Sequence, residues 1–64
     1  MWKPLEIEVY KQWVTDIIEE AQDNLTDWET TFIESIYNRL YNIQKNLTEP
    51  QAVKLEQIYT RYTS

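Results

Sequence analysis

The chain has 64 residues with no Cys, no His and no Gly, and eleven acids against six bases leave a net charge of −5. A domain of this size buries only about 60% of its unfolded surface, so its core is small and its stability modest. Without Cys or His there is no disulfide framework, no common zinc site and no imidazole base, and Ser35 and Ser64 lack the partners a nucleophile needs. The composition therefore points away from an enzyme, a metal or another cofactor. No stretch of 18 apolar residues and no signal-peptide-like run occurs, which predicts a soluble cytoplasmic protein that leaves membranes alone.

The first element is read from Tyr10, Trp13, Val14, Ile17, Ile18 and Ala21, which recur at three- and four-residue steps, with Pro4 where a first helical turn tolerates it. Helix 1 is predicted over about 4–23. A near-repeat follows: NLTDWETTFIESIYNR at residues 24–39 returns 22 positions later as NLTEPQAVKLEQIYTR at 46–61. Thr26 with Glu29, and Thr48 with Gln51, match the capping box, in which the Thr side chain accepts from the backbone three residues on and Glu or Gln reaches back. Each copy thus begins a helix, which also accounts for the Asn-x-Thr sequons at Asn24 and Asn46. Leu25 and Leu47 sit where an apolar residue staples onto the first turns; Ala52 is a suitable partner for Leu47, and Thr30 a weaker one for Leu25.

Helix 2 is predicted over about 27–44, with the stripe Trp28, Phe32, Ile33, Ile36, Leu40 and Ile43, and helix 3 over about 49–62, with Val53, Leu55, Ile58, Tyr59 and Tyr62. The short connection at Lys45 to Thr48 predicts an antiparallel hairpin of helices 2 and 3, covered by helix 1. The expectation is all-α: a small three-helix bundle and one domain over 1–64, divided into an acidic helix (1–24) and a helical hairpin (25–64).

Charge is uneven along the chain. Residues 1–34 carry nine acids against Lys3 and Lys11, and residues 35–64 carry four bases against Glu49 and Glu56, giving −7 and +2. Asp16, Glu20 and Asp23 stack on one face of helix 1 with Glu19 beside them. Such a stripe is either a solvated face or a docking surface for a basic partner. There are also nine aromatic residues, too many rings for so small a core. Tyr37, Tyr41, Tyr59 and Tyr62 are candidates for a contact surface, and their number predicts a homodimer. Tyr37 with Arg39, and Tyr59 with Arg61, could stack on bases and touch phosphates, although four bases in a chain of charge −5 make direct nucleic-acid binding a poor fit.

LTDWETTFIESIYNRL followed by LTEPQAVKLEQIY also resembles a short helical module, Leu-Thr/Ser-x-Trp-Glu-x-x-Phe-Ile/Leu-x-Ser-Ile and then Leu-Thr/Ser-x-x-Gln-x-x-x-Leu-x-x-Ile. The module recurs in bacteriophage proteins of DNA replication and recombination, appended to helicases or annealing proteins, and in small free-standing phage proteins. The resemblance spans 39 of the 64 residues. It is carried by Leu25, Thr26, Trp28, Glu29, Phe32, Ile33, Ser35, Ile36, Leu47, Thr48, Gln51, Leu55 and Ile58, nearly all cap and core positions, so it implies a helical hairpin of phage-like origin and transfers no functional site. Pro50 stands where the module commonly has Lys, removing one candidate phosphate contact, and the acidic helix lies outside it.

The combined expectation is a non-enzymatic, phage-type protein-binding module. Its partner would be a protein with a basic surface, such as a nucleic-acid-processing or host-defence enzyme, which it would assist or inhibit through an acidic helix that imitates DNA and through its aromatic surface. The alternatives are single-stranded nucleic-acid binding by the hairpin and a purely structural homo-oligomer.

Overall fold

Where the helices begin and end follows from what happens to the backbone groups at their ends. The computed structural model describes residues 1–21 and 23–63; Gln22, in the predicted span of helix 1, and Ser64 lie outside the described residues. It contains α1 (Ile7–Ala21), α2 (Asp27–Asn38) continued by a π-helical turn (Arg39–Ile43), and α3 (Glu49–Thr63). The architecture is all-α, with no strand among the described residues.

Helix α1 starts later than the proline suggested. The Leu5 N–H donates to Tyr10 Oη at 3.0 Å and the Leu5 carbonyl accepts from Asn46 Nδ2 at 2.8 Å, so both backbone groups of Leu5 are engaged outside a helix. Helical bonding begins where the Val9 and Tyr10 N–H groups reach the Glu6 carbonyl at 3.0 and 3.4 Å. At the other end, Asn24 N–H returns to the Ala21 carbonyl at 2.8 Å, leaving Asp23 in a turn rather than on the helix.

The first capping box forms in full. Thr26 Oγ1 accepts from Glu29 N–H at 3.1 Å and Glu29 Oε1 accepts from Thr26 N–H at 2.9 Å. In the second copy, Gln51 Oε1 accepts from Thr48 N–H at 3.0 Å. Leu47 and Ala52 are buried together in the core cluster, as the staple requires, whereas Leu25 is half-buried and Thr30 exposed.

With no glycine available, Gln44 ends the π-helical turn in the left-handed region at φ 61°, a conformation that costs a non-glycine residue about 1 kcal/mol. Two backbone bonds offset it, since Gln44 and Lys45 N–H both reach the Arg39 carbonyl. Arg39 Nε then donates to the Asn46 carbonyl at 2.7 Å, fastening the connection to α3.

Ile17, Ile36, Leu40, Leu55 and Val14 fill the centre of the bundle. The most extensive helix pairing is that of α1 with α3. The stripes explain this. On α1, Tyr10, Val14, Ile17 and Ala21 are all buried, while α2 buries only Glu29, Ile33 and Ile36. Leu5 lies by Asn46, Trp13 by Tyr59 and Asn24 by Tyr62, so α1 and α3 advance in the same direction.

Three residues assigned to the apolar stripes are corrected: Trp28 is 57% exposed, Ile43 52% and Val53 44%. Trp28 and Glu29 are neighbours about 100° apart around α2, and the buried position goes to Glu29, whose hydrogen bonds require it. Ile43 lies in the π-helical turn, past Leu40, the last buried residue of that helix. On α3 the buried steps are Ala52, Leu55 and Ile58, so Val53, next to Ala52, is turned outward. Ile36→Ala should therefore lower the unfolding free energy by about 2–5 kcal/mol, as truncations in cores do, while Trp28→Ala should cost about 1 kcal/mol, the scale of its ring stacking. Urea unfolding followed by circular dichroism distinguishes the two, and equal losses would return Trp28 to the core.

Candidate functional site

The most heavily bonded side chain in the protein is a carboxylate. Glu29 is only 5% exposed and closes the capping box with Oε1. The same oxygen accepts from Tyr62 Oη at 2.8 Å, and Oε2 accepts from Arg61 Nη1 at 3.1 Å. Tyr62 Oη also lies 3.3 Å from the Asn24 carbonyl. The start of α2 is thereby bound to the end of α3. The Thr26 backbone bond is the largest influence holding the Glu29 carboxyl below its ordinary 4.5; burial opposes it, and the Tyr62 and Thr26 side chains and Arg61 reinforce it. Tyr62 is raised above 10.0, chiefly because its phenol donates to that carboxylate.

The acidic residues singled out from the sequence are accessible and unpaired. Glu19, Glu20 and Asp23 are exposed, with Asp23 just past the end of α1, and Asp16 is half-buried and accepts from Gln12 Nε2 at 2.9 Å. Arg61 with Glu29 is the one ion pair among the described residues, so none of the four is paired with a cation among them.

The four tyrosines divide into different settings. Tyr37 and Tyr41 stack at 4.4 Å, and Lys11 Nζ stands over the Tyr41 ring at 4.9 Å. Tyr59 is half-buried and stacks on Trp13 at 4.8 Å. Lys11 and Trp13 are two residues apart on α1, about 200° around it, so Tyr41 and Tyr59 lie on opposite flanks. Tyr62 is taken up by Glu29 and Asn24. A further aromatic surface, assigned from sequence to the core, is Trp28, which stacks on Phe32 at 5.5 Å and carries Lys54 Nζ 5.4 Å above its ring. An exposed Trp braced in this way presents a large rigid contact area at little entropic cost.

A cleft of about 180 Å³ opens between α1 and the start of α2, lined by Ile18, Leu25, Thr30, Ile33 and Glu34. It lies at the staple position of the first repeat. Where Leu47 meets Ala52 the second copy is closed, but the polar Thr30 leaves the corresponding corner open. The polar residue at position 30 was the sequence signal for it.

Comparison with known proteins returns no matching family model, no matching curated protein and no matching solved structure. Among the described residues no helix is long and apolar enough to cross a membrane.

The Glu29 cluster has a definite pH signature. Because the folded carboxyl titrates below its unfolded value, its contribution is present above about pH 4.5 and is lost as pH falls through the folded value. Because the folded phenol titrates above its unfolded value, its contribution is present below about pH 10 and is lost as pH rises through the folded value. Thermal melts across this range should show Glu29→Gln with a shallower acid decline than wild type and Tyr62→Phe with a shallower alkaline one. Curves parallel to wild type for both variants would contradict these assignments.

Proposed function

We propose that the chain is a non-enzymatic protein-binding module whose partner presents a basic surface to α1 and the aromatic surface beside it. This reading is carried by Glu19, Glu20 and Asp23, which stand exposed, and by the half-buried Asp16, none of them paired with a cation among the described residues, while Arg61 is engaged by Glu29, Arg39 by the Asn46 carbonyl, and Lys11 and Lys54 by aromatic rings. A cationic partner relieves the mutual repulsion of carboxylates one turn apart and gains rate from long-range steering. Trp28 supplies the kind of anchor on which protein interfaces concentrate their energy.

The resemblance of residues 25–63 to the phage module extends the proposal to a partner that processes nucleic acid or defends a host cell, which the chain assists or inhibits by offering carboxylates where DNA would offer phosphates. Direct stacking on nucleic-acid bases is less well supported, because Tyr37 and Tyr59 belong to different flanks. Self-association is favoured by the exposed Leu5, Val9, Trp28, Ile43 and Val53, and it competes as a structural role.

Glu19→Lys with Glu20→Lys replaces exposed residues and should change the stability by about 0.5 kcal/mol each at most. In a capture from cell lysate eluted by a salt gradient, the wild-type chain should retain a basic protein that leaves at moderate salt, and the double variant should lose it. Purified with that partner, the variant's loss should reside mainly in the association rate. Equal retention by both proteins, with sedimentation showing a dimer, would replace this reading with the structural one.

A further inference from the structure

The cleft between α1 and α2 has a chemical character that the acidic face alone lacks. Its wall is apolar, from Ile18, Leu25 and Ile33, and its rim is polar, from Thr30 and Glu34. At about 180 Å³ it falls below the roughly 300–1,000 Å³ of sites that enclose a whole small ligand, and has room for a single side chain. Glu34 is exposed and has no ion-pair partner among the described residues. One helical turn further along α2 stands the exposed Tyr37, stacked on Tyr41. Lys11, the cation of this flank, is held over Tyr41, and seven residues separate it from Ile18, about 10 Å along the helix.

We propose that this cleft is the anchor site for one lysine or arginine side chain of the basic partner. The aliphatic stem lies against Ile18, Leu25 and Ile33, and the cationic head emerges at the Glu34 carboxylate with the Thr30 hydroxyl beside it. Long cationic side chains divide in this way, burying their methylenes and keeping the charge at the rim. Charge complementarity selects a cation over a purely apolar side chain, since residues 1–34, which supply every lining residue, carry the −7 balance. The inference rests on the reading of the chain as a module for basic proteins and adds the side chain by which such a partner would be held.

The test needs no identified partner. The ¹⁵N-labelled chain is titrated at low ionic strength with acetyl-Leu-Lys-Leu-amide and, separately, with the same peptide carrying norleucine in place of lysine. Both peptides present the same stem, and only one carries the charge. The expected result is amide shifts at Ile18, Leu25, Thr30, Ile33 and Glu34, about threefold tighter binding of the lysine peptide, and loss of that preference in Glu34→Gln, which alters an exposed residue. Thr30→Leu, which completes the staple and fills the corner, should weaken both peptides. The proposal is overturned if shifts appear at Glu19, Glu20 and Asp23 without the cleft, if the two peptides bind alike or not at all at millimolar concentration, or if Glu34→Gln keeps the preference. Any of these would leave the charge-reversal experiment on α1 standing, so failure of the anchor is distinguishable from failure of the binding reading.

Discussion

The polar clasp that ties the start of α2 to the end of α3 is built on the Glu29 carboxylate. Only a deprotonated carboxylate can accept from the Thr26 backbone, the Tyr62 phenol and the Arg61 guanidinium together, and it does so while almost wholly shielded from water. Burial of an unpaired carboxylate would be prohibitive, so the three donors must be in place before the position is tolerable. The result is a local capping motif converted into a tertiary clasp. It also sets the rotation of α2, because seating Glu29 inward turns the adjacent Trp28 outward. Arg61 itself is mostly solvent-exposed, so its share of the stabilisation is screened, and the Thr26 backbone bond is the larger influence on the carboxylate.

At the opposite end the equivalent fastening centres on the neutral side chain and backbone of Asn46. Asn46 donates to the Leu5 carbonyl, accepts through its side chain from Leu47 N–H and accepts through its backbone from Arg39, so the N-terminal segment, the start of the π-helical turn and the approach to α3 meet at one residue. The near-repeat is visible in this arrangement. Arg39, at the end of the first copy, binds the carbonyl of Asn46 at the start of the second, and Tyr62, the residue just after the second copy, reaches the carbonyl of Asn24 at the start of the first.

Local grammar made much of this legible. The capping threonines located the starts of α2 and α3, the 3.6-residue period located the helices, and Leu47 with Ala52 read correctly as a staple. What could not be read was the competition between adjacent residues for one inward position. Hydrophobicity alone placed Trp28 inside, and only the arrival of Tyr62 and Arg61 from 33 and 32 residues away makes Glu29 the better occupant. The same non-local contacts separate the four tyrosines that composition grouped as one surface. The short loop implied a hairpin of α2 and α3 covered by α1, and the loop alone carried no sign that α1, with its continuous buried stripe, would make its largest contact with α3. Of the acidic residues that helical spacing placed on one face, Glu19 and Glu20 are exposed on α1, while Asp16 is half-buried beside Gln12 and Asp23 stands in the turn beyond the helix.

The division of labour that results is simple: one buried carboxylate holds the helices, and the exposed ones, with the outward Trp28 and the open corner at Thr30, remain available to a partner. The Glu29 clasp should act cooperatively rather than as a sum of independent contacts. A double-mutant cycle of Glu29→Ala and Tyr62→Phe, measured by urea unfolding at neutral pH, tests it most directly. The double variant should lose clearly less stability than the two single variants together, because either change alone strands or weakens the group the other was meant to satisfy. Losses that add to within about 0.4 kcal/mol would contradict it and reduce Glu29 to a helix cap.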